Sequence, residues 1–192
     1  MEITDTNDSQ RNLSYGIWIS IAVLVIAIDQ LTKWAILKWV PLYSKIPINP
    51  FLNITHQENT GAAFSFLANQ PGWQRWFFIV LAAIVSAVIA VWLWRLRRSG
   101  QNVLSAGLAF VLGGALGNVI DRIRLGHVID FIQVLFGSWP FPSFNVADAA
   151  ITIGAGLLIV DALFLSGRHT PGPDKQDKAG ESATHTEEEA SG

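Results

Sequence analysis

Hydrophobic positions gather into four long blocks, Leu13 to about Val40, Trp73 to Trp94, Val103 to Ile120 and about Val146 to Leu165. Each is long enough, or nearly so, to cross a hydrocarbon core of roughly 30 Å, which takes about 20 helical residues. The first block carries Asp29, Lys33 and Lys38 in its last turns, so it is expected to leave the hydrocarbon before Pro41. The third is short and holds Gly107, Gly113, Gly114 and Gly117. Its Gly113 and Gly117 have the spacing that lets helices pack closely, which predicts a span buried in a bundle. Between the first two blocks, Ile46 to Phe66 contains Pro47, Pro50, Gly61 and short apolar runs, the mark of short strands and turns rather than of another span. The pattern predicts an all-α membrane protein of four transmembrane helices with a small β-rich subdomain on its outer face.

Composition agrees, since 51% hydrophobic and 15% charged residues leave too few polar groups to clothe a soluble globule. Charge sharpens the organisation. Residues 1–12 form a polar N-terminal tail, 13–166 the four-span body, and 167–192 a C-terminal tail whose Gly, Ser, Thr, Glu and Lys content reads as low-complexity and disordered. The run Glu187 to Glu189 is a solvated end. Arg95, Arg97 and Arg98 have no acid nearby, and the positive-inside bias puts that loop and both termini in the cytoplasm. The connections at about 41–72 and 121–145 then face the other side. Lys38, Lys45, Arg75, Arg122 and Arg124 soften the contrast. The N-terminus has no basic n-region and no small-residue cleavage site after its first apolar stretch, so that stretch is expected to stay as a helix of the mature chain. The chain shows no internal repeat, and its lack of cysteine removes disulfides, thiolate nucleophiles and cysteine metal sites.

Between residues 13 and 170 the only acids are Asp29, Glu58, Asp121, Asp130, Asp148 and Asp161. A carboxylate in low dielectric is costly and takes up a proton or a partner, so each calls for an explanation. Asp29, Asp121, Asp130 and Asp148 fall near the outer ends of helices or in the loop joining them. Asp29 and Lys33 are one turn apart, as an intrahelical ion pair settling the helix at the interface or as support for a substrate groove. Asn118, Asp121 and Arg122 share one helix face, where Arg122 either ties the helix end to headgroups or offers a planar fork to a carboxylate or carbonyl. Asp130 sits in the outer loop, and the turn-rich stretch Gly137 to Phe144 can fold it back onto Asp148. For Asp148 two readings stand together: Asn145 as N-cap with Asp148 three residues on as a capping acid, or a charged carboxylate held ready as a base. Two close carboxylates do not both ionise readily, and such a pair activates a water while polarising a carbonyl. The pair titrates as a unit, and the helix dipole favours Asp148 as the base.

Other chemistries are poorly served. His56, His127, His169 and His185 are too scattered for zinc. Ser65 has no serine-nucleophile context and reads as packing; Asp161 lies outside the cluster, as a structural or interfacial residue. Intramembrane carboxylates also build proton-coupled carriers, which want a site near the midplane, and a purely structural scaffold would leave the one-sided cluster of Asp and Asn unexplained.

The segments Asp29-Gln30-Leu31-Thr32-Lys33, Glu58-Asn59-Thr60-Gly61-Ala62-Ala63-Phe64-Ser65, Gly113 to Arg122, Val128-Ile129-Asp130-Phe131 and Phe144-Asn145-Val146-Ala147-Asp148 resemble, in order, the signature blocks of bacterial lipoprotein signal peptidase, signal peptidase II. The resemblance implies an aspartyl endopeptidase of the bacterial inner membrane, with its active site at the periplasmic side. Its substrates would be diacylglyceryl-modified prolipoproteins, cut before the lipidated cysteine. The catalytic pair falls on Asp130 and Asp148. Asn59, Asn118, Arg122 and Asn145 would line the site, Asp29 and Lys33 support it, and Gly61 and Asp121 join the binding or supporting positions. The outer-face segment would form a small β-rich cradle. No cofactor, metal or nucleic acid is expected, the surroundings are membrane lipid, and the enzyme is expected to act as a monomer.

Overall fold

The structure, a computed structural model, describes residues 6–61, 72–97 and 99–165, with side chains from residue 15 onward. Ser65 and the C-terminal tail lie outside the described residues. The chain divides into two units, Met1–Ile159 and Val160–Gly192. In the second, the described residues form a π-helical turn, Asp161–Leu165, which contains Asp161.

The first unit carries helices α1 (Thr6–Trp39), α2 (Trp73–Leu96), α3 (Asn102–Arg124) and all but the last residue of α4 (Val146–Val160), with strands β1 (Lys45–Asn49), β2 (Leu52–Asn59), β3 (Val128–Phe136) and β4 (Trp139–Pro140). Four helical stretches, Tyr15–Trp39, Trp73–Leu96, Asn102–Arg124 and Val146–Leu165, are long and apolar enough to cross a membrane. The third runs beyond Ile120, where hydropathy ends, because Asn118, Asp121 and Arg122 find partners inside the protein. Large apolar side chains point outward, among them Leu31, Trp76 and Ile153, while Asp29, Lys33, Asn118, Asp121, Asp130 and Asn145 are buried. That inversion of the soluble pattern is what a hydrocarbon solvent selects.

Helix α3 is the centre: over half of its apolar window is buried, against 17% in each of the other three. Its glycines make this possible. A Cβ on Gly113 would meet the Ala22 carbonyl of α1 at 2.7 Å, and one on Gly117 would meet Oδ2 of Asp29 at 2.8 Å. On the opposite face, Gly107 lies against Leu158 and Gly154 of α4, and Gly114 against the Ala147 carbonyl. The predicted close packing therefore holds on two faces, toward α1 and toward α4. Ala22, Ile89, Leu93, Leu108 and Leu112 fill the core between α1, α2 and α3.

Both connections at the other end from the α2–α3 turn contribute to one antiparallel sheet, ordered β1-β2-β3-β4. The expected strands of the first connection are present, and two more come from the second, where the sequence predicts a loop and turns. Asp130 is therefore on a strand. The register pairs Ile54 with Ile132 and Gln57 with Asp130, with a bulge between Ile54 and Gln57. The bulge turns the consecutive Thr55 and His56 both inward. Ile129 and Phe131 of β3 pack on Ile36 of α1, anchoring the sheet to the helix bundle.

Candidate active site

Asn145 is the N-cap of α4 and Asp148 its third residue. The Asp148 N–H donates to Asn145 Oδ1 at 2.9 Å, and the Asn145 N–H donates back to Asp148 Oδ2 at 3.2 Å. This reciprocal box is the capping reading, fulfilled. The same Asn145 donates from Nδ2 to Asp130 Oδ1 at 2.7 Å. One residue thus holds both carboxylates, and capping and pairing are a single arrangement. The Phe144 backbone bonds with Phe131 and Ile132 bring the start of α4 against β3.

Three amides aim donors at the pair. Asn59 Nδ2 donates to Asp130 Oδ2 at 2.9 Å, Asn118 Nδ2 to Asp148 Oδ1 at 2.8 Å, and Asn145 Nδ2 to Asp130 as above. Each is held in that sense by a donor on its own oxygen: the Gly61 N–H on Asn59, Lys33 Nζ on Asn118 and the Asp148 N–H on Asn145. With the oxygen occupied, the NH₂ group is left facing a carboxylate.

Behind this layer lies a buried charge cluster. Lys33 Nζ is 2.8 Å from Asp29 Oδ2 and 2.7 Å from Asp121 Oδ2, with the lysine only 2% exposed. The intrahelical pair exists, but it is enclosed rather than at an exposed interface, and it is shared with Asp121 on α3. Asp29 Oδ1 accepts from the Ala147 N–H at 2.9 Å, tying α1 to the first turn of α4. Asp121 accepts from Gln30 Nε2 at 2.9 Å and from the Ile129 N–H at 3.3 Å. Removing one member of so buried a cluster would strand a charge, a cost of about 3–5 kcal/mol.

Arg122 is held differently from the expectation of a headgroup tie. Its guanidinium lies over the Phe78 ring, 5.1 Å from the centroid, and Nη1 donates to the Asn118 carbonyl at 3.3 Å. It forms no ion pair with either aspartate among the described residues, although its charge acts on both. Gly61 explains the seat: at φ 99° its missing side chain leaves room for Phe78, whose ring a Cβ would overlap. Phe78 and Gln30 were not singled out from sequence. Gln30 lies within the segment Asp29 to Lys33; Phe78 is one more aromatic in an apolar span, with no signal to mark it.

Burial pushes the Asp130 carboxyl up to about 6, and the nearby Asp148 adds to the rise, against the hydrogen bonds of Asn59 and Asn145 and the charge of Lys33. Two grooves reach the pair. A polar one of about 430 Å³ opens on Asp130 and is bounded by Lys45, Gln57, Glu58, Asn59 and Gln133. An apolar one of about 500 Å³ opens on Asp148 between Phe141, Phe144, Ala149 and Ile153. Pro142 and Ser143 line both.

Two carboxylates held by one asparagine and reached from one apolar and one polar groove, at the end of four helices long and apolar enough to cross a membrane, define a polytopic membrane protein with a candidate acid pair. The family model described as signal peptidase (SPase) II matches residues 21–164. Lipoprotein signal peptidase of Pseudomonas aeruginosa is 51% identical over 146 residues, 75% of this chain and 86% of that one. The Pseudomonas syringae pv. tomato protein of the same name is 50% identical, covering 82% and 91%; that of Acinetobacter baumannii is 47% identical, covering 82% and 89%. A bacterial membrane enzyme solved by the in meso method at 1.9 Å superposes with a TM-score of 0.68 at 34% identity, over 79% of this chain and 95% of that chain. The chain belongs to the signal peptidase II family and is a membrane protease.

Proposed function

We propose that Asp130 and Asp148 are the hydrolytic pair of an aspartyl endopeptidase that removes signal peptides from diacylglyceryl-modified prolipoproteins, cutting before the lipidated cysteine. The observation that carries this reading is the double hold of Asn145 on both carboxylates. Asp148, at the helix N-terminus, serves as the base, and Asp130, whose carboxyl is raised to about 6, carries the pair's proton. Asp148 takes a proton from water as the water oxygen adds to the scissile carbonyl carbon, and Asp130 gives its proton to the carbonyl oxygen. Collapse of the gem-diol, with a proton delivered to nitrogen, breaks the C–N bond. One water is consumed, leaving a carboxyl on the signal peptide and an amine on the modified cysteine.

In this scheme Asn59, Asn118 and Asn145 orient the pair, and Arg122, whose fork keeps free donors among the described residues, holds a substrate carbonyl. Asp29, Lys33 and Asp121 fix the helices that carry them, and Gly61 seats Phe78. The arginine-rich α2–α3 turn supports a bacterial inner-membrane protein with cytoplasmic termini and a periplasmic site. Action as a monomer is part of this proposal. Purified protein in detergent, given a diacylglyceryl-modified prolipoprotein, should release a product beginning at the modified cysteine, and Asp130→Asn and Asp148→Asn should lower the rate at least a thousandfold. A correctly folded variant cutting as fast as wild type would sink the proposal.

A further inference from the structure

The two grooves differ in chemistry and meet at the catalytic pair, and the two arms of a prolipoprotein differ in the same way. The apolar groove runs along α4, itself a membrane-spanning helix, from Phe141 and Phe144 to Ile153. It suits the acyl chains and the signal segment. The residues after the modified cysteine are exported, and their extended backbone needs water or polar partners that hydrocarbon does not supply. The polar groove lies on the sheet, off the spans, and Asp130 is among the residues that line it.

The charges of that groove are unevenly matched. Glu58 is met by His127 Nε2 at 3.4 Å. Asp130 is held by Asn59 and Asn145. Lys45, exposed on β1, has no ion-pair partner among the described residues and is the groove's one cation there. It pairs in register with Thr55 on β2, whereas Asp130 on β3 pairs with Gln57. Two strand spacings and an offset of two residues along β2 separate Lys45 from Asp130, roughly 12 Å, which an extended chain covers in three to four residues.

We infer that the polar groove receives the first residues of the mature chain beyond the cut, and that Lys45 there favours an acidic side chain three to four residues past it. This rests on the peptidase reading above and adds a specificity determinant to it. An acid closer to the cut would face Asp130, so the preference is confined to the distal positions.

The test uses diacylglyceryl-modified prolipoproteins that differ only at the third and fourth residues after the cleaved bond, carrying Asp-Asp, Ser-Ser or Lys-Lys. At low ionic strength wild type should show kcat/KM about fivefold higher for the acidic than for the basic substrate, the scale of an exposed charge pair. Lys45→Gln should flatten that ratio and Lys45→Glu reverse it. Lys38→Glu makes the same charge change on the exposed side of α1 and should keep the wild-type ratio. An acidic-to-basic ratio that is the same in Lys45→Glu as in wild type overturns this inference and leaves the peptidase reading standing. Failure of wild type to cut the Ser-Ser substrate removes the peptidase reading and the inference with it.

Discussion

At the residue scale the site is governed by amides whose orientation is locked from behind. Asn59, Asn118 and Asn145 each point an NH₂ group at a carboxylate because a backbone N–H or a lysine already occupies the oxygen. The donors from Asn59 and Asn145 stabilise the ionised form of Asp130 and work against burial, which raises it. The balance makes a signed prediction. If the active pair needs its proton on Asp130, kcat/KM falls as pH rises through about 6, where that proton is lost. Asn59→Ala removes a donor that favours the carboxylate, so the proton is held to higher pH and the descending limb moves upward. A limb that stays in place, or moves down, in a pH–rate profile of that variant contradicts the assignment. The Asn145 and Asp148 contact was legible because capping is local and follows a three-residue spacing. The bond from Asn118 to Asp148 was not, since the two sit on different helices and only the α3–α4 packing joins them.

At the scale of elements, the four helices were legible because each must satisfy a fixed hydrocarbon length. Their ends were less so. Hydropathy stops at Ile120, yet α3 continues to Arg124 because Asp121 has Lys33 and Gln30 to meet it. Strand β3 went unseen for a different reason. Its partner β2 lies far away in the chain, so Val128–Phe136 read alone was a polar-interrupted apolar run between turns. The glycine faces of α3 were half legible: the Gly113 and Gly117 pair by its spacing, the α4-facing Gly107 and Gly114 only once the partner helix was in place. Gly117→Ala puts a methyl 2.8 Å from Asp29 Oδ2, so the α1–α3 contact must open. A loss of about 1–3 kcal/mol is expected from such overpacking, read as a lowered melting temperature in detergent. Gly156→Ala on α4 meets nothing within 4 Å and should leave the melting temperature unchanged or slightly higher. Equal effects of the two substitutions would show that close packing on α3 is not what holds α1 there.

At the scale of the whole molecule, one-sidedness is the organising feature. Both long connections supply strands to one sheet, and every residue of the proposed site lies where that sheet meets the helix ends. That placement speaks against a midplane proton relay and for an enzyme that handles lipid and peptide bond together at an interface. The orientation has its own check in a chain with no cysteine of its own. A single cysteine beside Arg97 should resist a membrane-impermeant thiol reagent added outside intact cells, while one at Ser138, in the β3–β4 turn, should react. The reverse pattern would place the proposed site in the cytoplasm.

Asp130 and Asp148 are proposed to act as one unit. A double-mutant cycle on cleavage of a diacylglyceryl-modified prolipoprotein tests it most directly, using Asp130→Asn, Asp148→Asn and both together, each shown to be folded. Residues of one catalytic unit are strongly non-additive, so each single variant should lose about a thousandfold or more and the double variant little beyond that. A single variant retaining activity within tenfold of wild type, or losses that multiply in the double variant, would contradict the account.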